Sequence, residues 1–257
     1  MIPKILHQLW KDANVPERFV PFRRTWARLH PGWEHRLWTD ADLHAFVARE
    51  FPGFLPVYEA YAEPIRRADA ARYLILKRYG GLYADLDFEC LKPVDDLLAG
   101  RSLVIGLEPD SHLALDKAAE RRMTRILCPS LIASVPGHGF WDAVIDRLRH
   151  SRDEPDVLDA TGPFLLTRAL EDCADPGSVT LLPAHLVYPA DKADCWEGRL
   201  FDIRYWERIT RDAYAVHHWD GTWFRGAARG DGRPARLRVT ITDGGAGDGA
   251  APPPAPG

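Results

Sequence analysis

Cysteine is scarce in this chain. Its four copies in 257 residues, at Cys90, Cys128, Cys173 and Cys195, form no C-x-x-C pair. That spacing argues against a zinc cluster or a dense disulfide framework, and leaves four buried or partly buried thiols as the expectation. Long apolar runs are missing too. No stretch approaches the roughly 20 residues that cross a bilayer, so no membrane span is expected. The opening MIPKILHQLW reads as a strand from the outset, without the basic, apolar and cleavage regions of a secretory leader. The expected location is cytoplasmic, with at most a peripheral contact at the inner membrane face. Charge of one sign is not in excess either. A formal net charge of −4 offers no footprint for nucleic acid or an anionic membrane as partner. No internal repeat is present.

What is there is an ordinary globular balance, 46% hydrophobic and 27% charged, in a length that supports one sizeable core and one domain. Nine Trp, eight Tyr and ten Phe make aromatics the distinctive class, and their faces suit sugars and bases but equally fill cores. Strand and helix signals alternate, the pattern of an α/β domain. Residues 2–10 read as a first strand, and a helix begins at Pro16-Glu17 and runs to about residue 30. Residues 35–38 form a second strand, after which Thr39-Asp40 caps a helix over 41–50. Pro64 opens a helix over 65–79, and Gly80-Gly81 ends it. A third strand spans 82–87. Further strands are expected at 103–107, 131–135, 179–182 and 214–219, with helices at 139–149 and 163–171. From Gly244 the text becomes GGAGDGAAPPPAPG, which cannot bury enough apolar surface to offset ordering. A domain over 1–242 and a disordered tail over 243–257 are expected.

The most informative stretch is IRRADAARYLILKRYGGLYADLD, residues 65–87. A polar-studded helix stops at Gly80-Gly81, and a short apolar strand delivers Asp85 and Asp87 at its end. Side chains two apart on a strand share a face, roughly 7 Å apart at the Cα atoms. A bare D-x-D is commonly no more than two solvated carboxylates. Here Leu82-Tyr83-Ala84 after a tight turn places the pair in the interior, where paired acids need a cation or strong donors. A hard divalent cation takes oxygen ligands and commonly binds substrate phosphates as well. Such a pair suits the holding of a sugar nucleotide by its diphosphate.

On the preceding helix Arg66, Asp69 and Arg72 lie at i, i+3 and i+6, on a side continued by Tyr73 and Leu76. As a surface ladder they would be worth little. Because the helix runs directly into the D-x-D strand, the preferred reading lines a cleft with them: Asp69 accepts sugar hydroxyls and Arg72 neutralises phosphate or carboxylate. His7-Gln8-Leu9-Trp10 closes the first strand, and open α/β sheets bind ligands outside the carboxyl ends of their strands. Trp10 there either stacks on a nucleobase or fills the core beside a satisfied His7. Late in the chain comes His217-His218-Trp219-Asp220-Gly221-Thr222-Trp223. Adjacent histidines on a strand point to opposite faces, so at most one reaches a given metal. An imidazole is a good third ligand beside two carboxylates, and a pair of hydrogen-bonded histidines is the bland alternative. Thr161-Gly162-Pro163 is a helix start, or a turn whose backbone approaches an acceptor sugar.

Taken in order, IPKILHQLW, LWTD, IRRADAARYLILKRYGGLYADLD, SVPGHGFW, TGPFLLT and AVHHWDGTW resemble glycosyltransferase family 32, the D-x-D sugar transferases, which includes fungal α-mannosyltransferases and bacterial capsular polysaccharide enzymes. The similarity covers most of residues 2–225. It implies a GT-A (Rossmann-like) fold, a single α/β domain with a mixed central sheet flanked by helices. It further implies a hexosyltransferase that uses a UDP- or GDP-sugar donor with Mn²⁺ or Mg²⁺ and retains configuration at the anomeric carbon. The acceptor would be a glycan, a lipid-linked sugar or a small molecule. By the same resemblance, Asp69, Arg72, Asp85 and Asp87 form the catalytic set. Gln8, Leu9, Trp10, Asp69, Arg72, Tyr83, Asp85 and Trp223 hold the donor, with Trp10 on the base and Trp223 beside the leaving diphosphate. Asp85 and Asp87 take the metal together with His217 or His218. The chain departs from the family pattern at Cys128-Pro129-Ser130, where Asn is frequent, at Gly139, where Pro is usual, and at Thr222, where Ser is common. Those positions bear on acceptor contacts more than on the metal.

The expected chemistry is departure of a nucleoside diphosphate with attack by an acceptor hydroxyl on the same face, since no carboxylate is securely placed as a nucleophile. Three rivals fit less well. A haloacid-dehalogenase-type phosphohydrolase would want Thr or Val where Glu89 stands. A glycoside hydrolase needs acids facing each other across a bond, roughly 5–10 Å apart. A carbohydrate-binding module has no use for the concentrated opposing charge of Asp69, Arg72, Asp85 and Asp87.

Overall fold

The organising segment is one helix and the strand it runs into. In a computed structural model that describes residues 1–221, the helix Pro64–Tyr79 starts with Pro64 in its first turn and passes through Gly80 straight into a strand at Gly81–Ala84. Both glycines have positive φ, 63° and 91°. A Cβ on Gly80 would stand 2.6 Å from the Ser134 carbonyl oxygen, and one on Gly81 2.7 Å from that of Ile5. Only glycine serves at either position, because backbone crowds both and left-handed φ penalises every other residue. Trp223, the end of the fold near residue 242 and the tail at 243–257 lie outside the described residues.

The strands are β1 (Ile5–Leu9), β2 (Glu34–Trp38), β3 (Gly81–Ala84), β4 (Phe88–Cys90), β5 (Leu103–Leu107), β6 (Leu127–Ser134), β7 (Val179–Leu182) and β8 (Ala215–His217). Six of them form a sheet in the order β2-β1-β3-β6-β5-β7. All pairings are parallel except those of β6, which runs antiparallel to β3 and β5. β4 and β8 form a separate antiparallel pair. This is the α/β architecture that the alternating signals implied, with the mixed sheet that the family resemblance implied.

Period-2 alternation divides the core between the sheet's two faces. Tyr83, Leu103, Ile105 and Ile132 pack on one side against the helices Asp40–Glu50, Pro64–Tyr79, Phe140–His150 and Pro163–Glu171. Leu82, Ala84, Val104 and Ala133 pack on the other against Trp26, Phe88, Val187 and Trp219. The helix Asp40–Glu50 begins as expected: Thr39 accepts from the Asp42 N–H, and Asp42 accepts from that of Thr39, a reciprocal cap.

Three expected elements differ. The strand foreseen over 82–87 stops at Ala84, and Asp85-Leu86-Asp87 form a turn closed by the Phe88 N–H on the Asp85 carbonyl, 3.2 Å. Buried backbone there has no strand to pair with until β4 meets β8, so the chain turns instead. β6 begins at Leu127, not at 131, and it bulges. Leu127 pairs with Leu107 and Ile132 with Ile105, so four residues of β6 face one of β5. Pro129, which has no N–H to give a ladder, lies inside that bulge. The last strand is three residues long rather than spanning 214–219, because Trp219 turns left-handed at φ 48°.

Candidate active site

The carboxyl ends of β1, β3 and β5 and the start of β6 meet at one edge of the sheet. A cavity of about 310 Å³ opens there, lined by Trp10 after β1, Asp85 and Asp87 after β3, Glu108 after β5 and Pro129 in β6. Position at strand ends is what the sheet's parallel topology predicts for a ligand.

The bulge in β6 builds the first wall. Its displaced carbonyls serve the site: Pro129 O accepts from Arg72 Nη1 at 3.1 Å, and Ser130 O from the Asp85 N–H at 2.9 Å. Arg72 also pairs with Asp69, at 2.8 Å, and with Asp85, at 3.2 Å, and its guanidinium lies 4.7 Å over the Tyr83 ring. Asp69 accepts in addition from Thr161 Oγ1 at 2.9 Å, and Tyr83 donates to Asp85 Oδ1 at 2.5 Å. Asp69 and Arg72 are only 4% exposed, so this is a buried ion-pair network and not a surface ladder. Arg66 lies apart, donating to the carbonyls of Glu154 and Pro155.

The second wall comes from β4–β8 pairing. Phe88 lies opposite His217, which brings the His217 ring to Asp87, Nε2 to Oδ1 3.1 Å. The left-handed Trp219 then folds the chain back, and the Asp220 N–H donates to Asp87 Oδ2 at 2.9 Å. A bulky residue at positive φ costs about 1–3 kcal/mol. Packing against His217, Tyr188 and His112 and an Nε1–H donated to the Ala190 carbonyl hold Trp219 there.

Asp85, Asp87 and His217 thus converge, with one ligand atom from each lying within 4.8 Å of the others. The neighbouring histidine does not join them. His218 faces Glu89, 3.1 Å away, and stacks on Phe22. The two carboxylates titrate apart. Burial pushes Asp85 upward and the Asp87 charge adds to that, with Arg72 opposing. Burial also disfavours the Asp87 anion, but His217 and the Asp220 N–H outweigh it and draw Asp87 down to about 2. Burial raises Asp69 to about 6 in spite of Arg72 beside it. Trp10 Nε1, Gln8 Nε2, Arg72 Nε and His217 Nδ1 are buried without a partner. Of these, Trp10, Arg72 and His217 line the cavity and Gln8 does not, and Arg66 Nε lacks a hydrogen-bond partner as well. Buried polar groups are satisfied as a rule, and a polar ligand in the cavity would satisfy the three on its wall.

Gln8 takes a hydrogen bond from Arg23 at its Oε1, and Trp10 packs edge-on against Phe19. Leu9, Trp10, Tyr83, Asp69, Arg72 and Asp85 all line the cavity. Glu108 and Lys192 line it as well, and nothing in their local sequence singles them out, since 84 residues separate the pair.

Residues 16–104 match the protein family described as "Glycosyltransferase sugar-binding region containing DXD motif". A glycosyltransferase of Acanthamoeba polyphaga mimivirus, itself uncharacterized, is 33% identical over 230 residues, 87% of this chain and 84% of that one. The inositol phosphoceramide mannosyltransferase 1 of Schizosaccharomyces pombe is 44% identical over 175 residues, 65% of this chain. That match spans 50% of the yeast enzyme's length. Among solved structures, the PaToxG glycosyltransferase aligns over 83% of this chain and 89% of its own, with TM-score 0.50 and 17% identity. At that identity it speaks to the fold alone, which is GT-A. On its motif, its near full-length relative and its sheet topology, this chain belongs to the glycosyltransferases defined by the D-x-D sugar-binding region.

Proposed function

We propose that this glycosyltransferase moves a hexose from a nucleoside-diphosphate sugar to a hydroxyl of a lipid-borne acceptor, with retention and with Mn²⁺ or Mg²⁺ bound. The observation that carries this reading is the convergence of Asp85, Asp87 and His217 on the cavity wall. Two carboxylates and an imidazole with a spare buried nitrogen suit a hard or borderline divalent cation. When bound, such a cation supplies Lewis-acid neutralisation of charge on the leaving phosphate oxygens.

The chain's own groups supply the rest. Trp10 and Gln8 carry unpartnered N–H donors at the end of β1, a place to hold a base or ribose. Arg72 sets a positive field next to Asp85 and fixes that carboxylate through Nη1. The buried carboxylates Asp69, Asp87 and Glu108 are engaged by Arg72 and Thr161, by His217 and Asp220, and by His112, and the half-buried Asp85 is held by Arg72 and Tyr83. That engagement favours same-face attack by the acceptor over a covalent glycosyl-enzyme. Mannose and an inositol phosphoceramide-like acceptor are the first substrates to try, because the fission-yeast relative is named for that transfer.

The test is a thermal-shift panel of UDP- and GDP-sugars with and without Mn²⁺, on wild type and Asp87→Asn. Ligands that bind the native state raise its stability by mass action. Stabilisation by one sugar nucleotide, dependent on metal and lost in the variant, is the expected result. No shift with any nucleotide, at concentrations well above ordinary donor affinities, would sink the proposal.

A further inference from the structure

The sequence points to Arg72 as the group that neutralises phosphate, yet the structure encloses it. Its side chain is 5% exposed, and both terminal nitrogens are taken up by Asp69, Asp85 and the Pro129 carbonyl. Nε, itself buried, and the second N–H of Nη2 remain. Arg72 biases the field of the cavity with most of its donors already spent on Asp69, Asp85 and the Pro129 carbonyl.

Lys192 is placed differently. It lines the same cavity, and its side chain is 29% exposed. The ammonium hangs 4.8 Å over the ring of Trp219, and that ring packs 4.2 Å from His217, a member of the acid–imidazole cluster. Lys192 therefore stands two contacts from the cation ligands. Its Nζ has one ion-pair partner among the described residues, Glu108 at 3.5 Å. Lys192 supports the buried Glu108 charge, and His112 is the second partner of that carboxylate. The Glu108 carboxylate already accepts from His112 Nδ1 at 2.6 Å, while His112 Nε2 accepts from the Lys192 backbone N–H at 3.3 Å. The result is a brace. His112 holds the Lys192 backbone and the Glu108 carboxylate together, Glu108 draws the ammonium across the ring of the strained Trp219, and two of its three N–H donors stay available to the cavity.

Besides Arg72, the other cation on the cavity wall among the described residues is Lys11, which follows Trp10 and is 71% exposed. It belongs to the base end of the cavity. Among the described residues, Lys192 alone combines a cavity position, a fixed mount and unspent donors close to the cation ligands. We propose that Lys192, mounted by Glu108, His112 and Trp219, is the side chain that contacts the leaving diphosphate of the donor, and that Arg72 acts on it only at a distance. This assignment rests on the nucleoside-diphosphate reading of the cavity.

Binding measured by calorimetry, with Mn²⁺ present, tests it on wild type, Lys192→Met and Lys192→Arg. The probes are UDP and GDP beside the nucleosides uridine and guanosine. Methionine keeps the stem over Trp219 and removes only the charge, and a melting curve checks that the variants fold. Loss of one charge-assisted contact to phosphate predicts a nucleoside diphosphate bound about tenfold more weakly by Lys192→Met, with nucleoside binding changed less than about twofold. Lys192→Arg, with its charge intact, is expected to bind the diphosphate more tightly than Lys192→Met. The assignment is overturned if Lys192→Met binds the diphosphate as wild type does, if nucleoside affinity falls by the same factor, or if Lys192→Arg is no better than Lys192→Met. A wild type that binds neither UDP nor GDP defeats the donor reading itself, and this assignment with it.

Discussion

Two buried histidines sit on strands of this protein, and they differ in one respect. His7 on β1 is fully buried and both ring nitrogens are satisfied: Nδ1 accepts from Trp38 Nε1 at 3.1 Å, and Nε2 donates to the Gly80 carbonyl at 3.0 Å. Burial lowers its pKa from 6.5 to about 4, outweighing that carbonyl. His217 on β8 is 6% exposed, spends one nitrogen on Asp87 and leaves the other without a partner, at the wall of a cavity. Burial is the same and residue type is the same. Completeness of hydrogen bonding separates the two: an unmade bond in the interior costs free energy with no structural return, and under the proposed function the spare nitrogen of His217 is the one a ligand would take up.

That comparison breaks if the two residues respond alike to replacement. The largest effect belongs to His217→Gln. Loss of a cation ligand is expected to lower kcat/KM by a factor on the order of 10², with the thermal midpoint within about 2 °C of wild type. A midpoint that collapses while residual activity per folded molecule stays high would make His217 a structural residue after all. Next in size is His7→Leu, which orphans the Trp38 donor and the Gly80 acceptor. Urea unfolding should show a loss of about 3 kcal/mol, and the folded fraction should bind sugar nucleotide within about twofold of wild type.

A pH series sharpens the contrast further. Folded His7 holds its proton less tightly than the unfolded chain does, about 4 against 6.5. Its contribution is therefore present above pH 6.5 and drains away as pH falls toward 4, a change of about 3 kcal/mol. Stability measured at pH 7 and at pH 4.5 should differ by about 2.5 kcal/mol more in wild type than in His7→Leu. Equal slopes would mean that His7 does not carry the change. The smallest effect is expected at His218, which sits on Glu89 and Phe22 beyond the cluster. His218→Gln should cost about 1 kcal/mol of stability and leave Mn²⁺ affinity unaltered within about twofold. A metal affinity that falls as far as in His217→Gln would put both histidines on the cation.

Much of this site was legible in the text of residues 64–87. Pro64, the run of buried residues from Ala70 to Leu76 and the Gly80-Gly81 pair announced the helix, its end and the strand after it. Asp85 and Asp87 were expected to converge, and they do, though by way of a turn and not by sharing a strand face. Strand alternation and turn formation both bring side chains two apart together, so the right outcome followed from the wrong local geometry. The choice between His217 and His218 stayed open, because alternation says that the two diverge and not which one meets Asp87.

What the sequence determined by itself was everything governed by neighbours a few residues apart: the caps, the breakers, the periodicities and the spacing of the two aspartates. Tertiary structure decided the rest. The bulge at Cys128-Pro129-Ser130 arises in the pairing of β6 with β5, beyond the residues that pair with β3, and its carbonyls then hold Arg72 and Asp85. The left-handed Trp219, His217 beside Asp87 and Lys192 beside Glu108 likewise depend on packing between segments far apart in the chain. Hydrogen bonds and ion pairs of that kind are made across space, and no local pattern records them.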